Sequence, residues 1–301
     1  MRFALTPEQA SFAEALDDLL ADAGTVAAAR AWADGNHEPG LVVWKRLAEL
    51  GVNGLLVAED DGGIGGSHVD AVVAHEALGR HLVVGPTIES TAYLATALTG
   101  EDAGRIAEGL VATVAAPYAL DADVAELFGG TAGELVESID GTRRLFTVAD
   151  AGPTDDHAFD VAALTCAAQL VGAAEHALAE TVAYAKQRQQ FGRAIGSFQA
   201  IKHQLADVRI ALDFARPLLY GAALALDSEE PAAARSVSAA KAFASDAALL
   251  AARTALQVHG AIGYTRELDL GLWLLRIHAL AGAWGTAAWH RARVLDHLVG
   301  A

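Results

Sequence analysis

Tyr184-Ala-Lys-Gln-Arg188-Gln-Gln-Phe191-Gly192-Arg193-Ala-Ile-Gly196-Ser-Phe198-Gln199-Ala-Ile-Lys-His203 joins two strongly helical segments across a glycine-marked turn. Arg188 offers a planar fork of donors suited to a pyrophosphate, and Phe191 offers a flat apolar surface beside it. On the residues alone a plainer reading stands alongside: a surface arginine paired with a carboxylate, and a core phenylalanine at a helix end.

Working outward, apolar residues recur at helical spacing from Ala162 to Arg188 (Leu164, Ala167, Ala168, Val171, Ala174, Leu178, Val182). Gln199 to Asp227 and Val237 to Val258 behave likewise, as does Leu270 to His297 with interruptions. Ser228-Glu-Glu-Pro231 marks a further turn. Long helices on short connectors predict an antiparallel four-helix bundle over residues 157–301.

The first 110 residues also read as helical. Thr6-Pro7-Glu8-Gln9 predicts a helix start with a capping box, followed by Phe12, Leu16 and Leu20 on one face. Further helices fit Val42 to Leu50 and Val69 to Leu78. Between them, Glu59-Asp-Asp-Gly62-Gly63-Ile-Gly65-Gly66 lacks the spacing of a dinucleotide cradle and reads as a tight turn.

Residues 111–156 lose the helical signal and hold short strand candidates at Ala115 to Leu120, Glu134 to Ser138 and Arg144 to Ala149. Two or three hairpin strands are the most that fit; a closed small barrel needs roughly 60 residues. The fold class is therefore mainly α, with a much reduced β segment between two helical parts.

Composition excludes several functions. The 301-residue chain is 53% hydrophobic, yet no run of eighteen uninterrupted apolar residues predicts a membrane span. A net charge of −17 opposes nucleic acid and anionic membranes, and an anionic ligand would need local basic residues. A single cysteine, Cys166, excludes a disulfide framework, and no His/Asp/Glu cluster has metal-ligand spacing. With no signal-peptide core after Met1, the chain is expected to be cytoplasmic.

The Tyr184–Gln199 block closely resembles the signature of acyl-CoA dehydrogenases. Trp44 to Gly51, Glu59 to Gly65 and Glu76-Ala-Leu-Gly79-Arg80 resemble that family's N-terminal helical domain. Gln257-Val-His259-Gly260-Ala261-Ile-Gly263-Tyr264 resembles its Gln-x-x-Gly-Gly-x-Gly turn, with Ala261 in place of the second glycine. An ordinary helix C-cap with Gly260 in the left-handed conformation fits the same residues.

The resemblance implies a flavoprotein oxidoreductase acting on acyl-CoA thioesters, with FAD as cofactor. It implies that Arg188, Phe191, Gln257, Gly260 and Ala261 contact the FAD of a neighbouring subunit. It also implies a catalytic glutamate, which this chain lacks. Alignment on Gly285-Thr286 puts Trp284 at the base position, and alignment on Arg276 puts Gly285 there. The family's alternative base position maps to Ala162, next to Ala163. Asp160 reads as a helix cap, Glu267 and Asp269 as solvated, and His290 as part of a solvated basic helix end.

The expectation is thus a non-catalytic subunit sharing FAD with a full-length acyl-CoA dehydrogenase. It matches the short, base-lacking subunits of actinobacterial α2β2 heterotetramers that act on steroid or other acyl-CoA esters. Two alternatives stay open: a flavin-dependent monooxygenase or other oxidoreductase of the same fold, and a flavin-free scaffold subunit.

Overall fold

The computed structural model describes residues 4–115, 117–152, 154–265 and 267–300. Helix α1 (Pro7–Ala21) starts as the sequence predicts. The Gln9 N–H donates to Thr6 Oγ1 at 3.2 Å, and the Thr6 N–H donates to Gln9 Oε1 at 3.1 Å. Helices α2 (Thr25–Ala33) and α3 (Glu38–Glu49) follow, the latter beginning one turn before Val42, where Pro39 suits a first turn. The loop before α4 (His68–Arg80) is the expected tight turn, with φ of 85° at Gly62 and 59° at Gly65.

A π-helical stretch (Glu89–Leu94) runs into α5 (Ala95–Ala97) and is followed by α6 (Glu101–Ala107). Among its described residues the middle segment holds five short strands rather than two or three: β1 (Ala112–Val114), β2 (Ala119–Leu120), β3 (Glu126–Phe128), β4 (Thr131–Val136) and β5 (Leu145–Ala149). Strands β2, β5 and β4 form the antiparallel sheet that the sequence suggested, whereas β1 and β3 pair in parallel. Three residues are too few to show an alternation, so that pair left no readable pattern.

The bundle comprises α7 (Asp156–Gln187), α8 (Gln199–Asp227), α9 (Ala233–His259), α10 (Leu270–Gly282) and α11 (Ala287–Val299). A two-residue hairpin of β6 (Gln189–Gln190) and β7 (Arg193–Ala194) separates α7 from α8. The fourth bundle element is split: between α10 and α11 the chain turns through positive φ at Trp284 and Gly285. Helix α7 is the central element. It is long and apolar enough to cross a membrane by length and composition, but 89% of its apolar stretch is buried within the protein.

Helices α4 and α7 meet backbone to backbone. A Cβ on Gly79 would collide with the Gln169 carbonyl, and one on Gly172 with the Glu76 carbonyl. Beside this contact lies a buried polar seam. Gln169 Nε2 donates to Thr87 Oγ1 at 2.8 Å and lies 3.0 Å from His75 Nδ1, whose Nε2 lies 3.1 Å from Thr91 Oγ1. Burial lowers the His75 pKa to about 3, so the ring is neutral. The Gly172→Ala substitution should cost about 1–3 kcal/mol by overpacking. Thermal unfolding would show this as a drop of several degrees, and an unchanged midpoint would exclude so close a contact.

Asp121, with φ of 53°, is fully buried and accepts from Trp32 Nε1 at 2.9 Å. Burial outweighs that bond and lifts its pKa from 3.8 to about 7. The folded state therefore keeps a proton that the unfolded chain releases. This contribution is full below about pH 4 and is lost as the pH rises through 7. Asp121→Asn keeps the acceptor and cannot ionise, and asparagine tolerates positive φ. Its melting temperature relative to the parent should rise between about pH 5 and pH 8; a pH-independent difference would refute the assignment.

Candidate functional site

The two blocks singled out in the sequence meet at one end of the bundle. Tyr184, one turn before the end of α7, stacks on His259, the last residue of α9, with ring centroids 4.2 Å apart and planes 26° from parallel. His259 is fixed in turn by Nδ1, 2.8 Å from the Ala255 carbonyl. At the opposite end Asp160 of α7 and Ser238 of α9 both bind Arg293, so α7 and α9 run in parallel. Arg188 therefore lies at the same end of the bundle as Gln257, Gly260 and Ala261.

The hairpin between α7 and α8 is shaped around Phe191. Phe191 and Gly192 take φ of 53° and 80°, the all-positive pair of a two-residue hairpin turn. Glycine does this freely, whereas a left-handed non-glycine residue costs roughly 1–2 kcal/mol. Phe191 is 92% exposed, so it is no core residue. It forgoes about 1.5–3 kcal/mol of burial as well. The Phe191 and Phe198 rings meet at 85° with centroids 6.2 Å apart, and the Arg193 guanidinium lies 4.1 Å from the Phe198 ring centroid.

Arg188 caps α7, its N–H donating to the Tyr184 carbonyl at 2.8 Å and its own carbonyl accepting from Ile195 N–H at 2.8 Å. Its side chain is exposed and makes no ion pair among the described residues, contrary to the paired-arginine reading. Gln257, Gly260 and Ala261 are also exposed. Gly260 caps α9 at φ 64° and ψ −140°, a positive-φ region outside the left-handed helical well and open mainly to glycine. Nothing lies within 4 Å of where its Cβ would stand, so a ligand can approach this backbone closely. A strained aromatic tip, an arginine with no ion pair among the described residues and an unshielded glycine are thus all exposed at one end of the bundle.

No carboxylate stands at either expected base position. Ala162 and Ala163 are buried on α7, and Trp284 and Gly285 form the break between α10 and α11. Two neighbouring residues differ from expectation. Asp155, not Asp160, caps α7 by accepting from Ala158 N–H at 2.8 Å; Asp160 is buried and paired with Arg293. His290 is not on a solvated basic face but fully buried, with Nδ1 3.1 Å from Ser238 Oγ and Nε2 2.9 Å from the Trp284 carbonyl. Burial pulls its pKa down to about 4, leaving a neutral ring whose Nε2–H donates to that carbonyl.

Two further buried ionisable groups escaped the sequence reading. Lys241 is fully buried, with Nζ donating to the carbonyls of Leu280 and Gly285, each at 3.2 Å, and to Ser245 Oγ at 3.3 Å. Burial lowers its pKa. Glu89 opens the π-helical stretch with Oε1 3.5 Å from Arg143 and Oε2 without a hydrogen-bond partner among the described residues. Neither residue belongs to a motif. Among the described residues no group of His, Cys, Asp or Glu could hold a metal ion.

Comparison with known proteins agrees with this architecture. The family profile "Acyl-CoA dehydrogenase, N-terminal domain" matches residues 6–105, and "Acyl-CoA dehydrogenase, C-terminal domain" matches residues 154–299. The strand-bearing stretch between them is matched by neither. Acyl-CoA dehydrogenase IpdE2 of Mycobacterium tuberculosis is 35% identical over 92% of this chain and 93% of its own length. The Mycolicibacterium smegmatis protein of the same name is 36% identical over 81% and 83%.

Among solved structures, the ChsE4-ChsE5 complex from Mycobacterium tuberculosis superposes with a TM-score of 0.81 at 21% identity, over the whole of both chains. A variant of the Tcur3481-Tcur3483 steroid ACAD gives 0.85 at 24% identity, over 97% and 98%. The chain belongs to the acyl-CoA dehydrogenase family, with the length of its short members.

If the Phe191 tip is strained and unsupported within the chain, Phe191→Gly should leave the isolated protein as stable or up to about 1 kcal/mol more stable in urea unfolding. A loss of more than about 1.5 kcal/mol would mean that the ring is buried after all.

Proposed function

We propose that this protein is the non-catalytic subunit of a heteromeric acyl-CoA dehydrogenase, and that it completes the binding site of an FAD held mainly by a full-length partner. The observation that carries this reading is Phe191, strained and 92% exposed at the tip of a hairpin that nothing among the described residues covers. Arg188 would meet the flavin nucleotide's pyrophosphate, with Gln257, Gly260 and Ala261 lining the same approach. The residues present suit that group: a free fork of donors, a flat apolar face and a backbone open at Gly260.

When bound, FAD supplies the hydride acceptor for α,β-dehydrogenation of an acyl-CoA thioester. This chain would bind and orient it, and the glutamate that takes the α-proton would come from the partner. The reading divides the chain into residues 1–110, 111–156 and 157–301, with the middle part too small to sheathe a flavin ring of its own. The charge of −17 argues that a CoA ester is recruited by the partner. The ChsE4-ChsE5 complex and the Tcur3481-Tcur3483 steroid ACAD support pairing with a second acyl-CoA dehydrogenase subunit in lipid or steroid catabolism; an α2β2 assembly in the cytoplasm is the form this proposal takes.

The test is flavin affinity of the complex, obtained by co-expression with the full-length acyl-CoA dehydrogenases of the same organism. Arg188→Ala and Phe191→Ala should each weaken FAD binding by about tenfold or more while leaving subunit assembly intact. Unchanged flavin retention in the double variant would contradict the donated-site reading.

A further inference from the structure

The two positions at which a base is expected converge in space. Phe159 and Cys166 flank Ala162 by one turn on either side of α7, and both touch the α10–α11 break. The Phe159 ring lies 5.8 Å from that of Trp284; Cys166 Sγ donates to the Leu280 carbonyl at 3.4 Å and lies 3.8 Å from that of Ala283. Ala162 and Trp284 therefore belong to one site.

Aromatic rings occupy that site. The Trp284 indole lies on Tyr93 with centroids 5.4 Å apart and planes 29° from parallel, while Phe159 closes the α7 side edge-on. Phe159 is backed by Trp289 at 5.4 Å. Tyr93 is buried, its hydroxyl accepting from the Asp155 N–H at 2.9 Å.

The placement of Trp284 is enforced. Its φ of 53° is a conformation that a tryptophan adopts only under constraint. Three buried groups grip the backbone from behind: His290 on the Trp284 carbonyl, and Lys241 on those of Gly285 and Leu280, the latter shared with Cys166. The positive φ of 91° at Gly285 belongs to the same turn, where a Cβ would strike His290. A tryptophan merely filling a core would need neither a left-handed backbone nor a buried lysine to hold it.

We infer that Trp284 is an internal plug: it fills the acyl-thioester site of this chain with indole, so that the chain excludes acyl-CoA and leaves the substrate to the partner's cleft. The inference rests on the reading of the chain as an acyl-CoA dehydrogenase subunit. It adds that substrate is shut out by a built obstruction, beyond the lack of a base. Lys241 and His290 are its positioning residues.

The experiment is calorimetric titration of the full chain with octanoyl-CoA, with CoA as control, for the parent, Trp284→Gly and Trp284→Asn. Either residue tolerates the left-handed turn, so one can serve if the other fails to fold. The parent should show no saturable binding. The variants should lose several degrees of thermal stability, recover part of it with millimolar indole, and bind octanoyl-CoA about tenfold or more tighter than the parent, with no gain for CoA.

Saturable octanoyl-CoA binding by the parent would overturn the plug. So would folded, indole-rescued variants that bind octanoyl-CoA no better than the parent, or an equal gain for CoA alone. Flavin retention by the Arg188 and Phe191 variants is read separately, so failure of the plug and failure of the subunit reading give different results.

Discussion

One guanidinium ties the three parts of this chain together. Arg276 of α10 is buried and donates to Asp140 Oδ2 at 2.6 Å, to Thr142 Oγ1 at 2.7 Å and to the Val83 carbonyl at 3.0 Å. It thus joins the bundle, the strand-bearing middle and the N-terminal helices. Burial alone would raise the Asp140 pKa, but Arg276 and the bonds from Thr142 outweigh it and hold the carboxyl below its ordinary value. Removing one partner of so buried a pair leaves the other uncompensated, at about 3–5 kcal/mol. A middle segment with only small sheets has little core of its own, and this anchor explains how it stays docked.

From that frame the chain presents two opposite kinds of site. Outward, at the Tyr184–His259 end, it exposes the side chains of Phe191 and Arg188 and the backbone at Gly260. Inward, where a dehydrogenase would keep a carboxylate beside an acyl cleft, it has Trp284 against Tyr93 and Phe159, held by Lys241 and His290. The same bundle supports both: the α7–α9 pairing sets the exposed turn at one end and the clamped one nearer the other. On the function proposed above, the exposed turn is the surface offered to a neighbour and the aromatic cluster is the chain's own cleft filled.

Much of this was legible in the residues because it is local. The bounds of α8, Gln199–Asp227, follow from helical spacing between two turns, and the Thr6–Gln9 capping box from four adjacent residues. That alanine, tryptophan and glycine stand at the positions where the resemblance expects a base is given by the residues themselves. What escaped depends on partners distant in the chain. Asp160 looked like a cap because Arg293 lies 133 residues away, and His290 looked solvated because Ser238 lies 52 residues away. Lys241 looked like any helical lysine until the α10–α11 turn closed over it. Phe191 would have passed for a core residue on physics alone; only the family resemblance set it at an exposed edge, where the hairpin turn holds it.

The most direct measurement is the flavin absorbance of the wild-type chain purified alone and purified with its full-length partner, alongside acyl-CoA oxidation by each. The account predicts a colourless, inactive chain alone, and a yellow, active complex carrying about one flavin for each pair of unlike subunits. Stoichiometric FAD and acyl-CoA oxidation by the chain alone would contradict it.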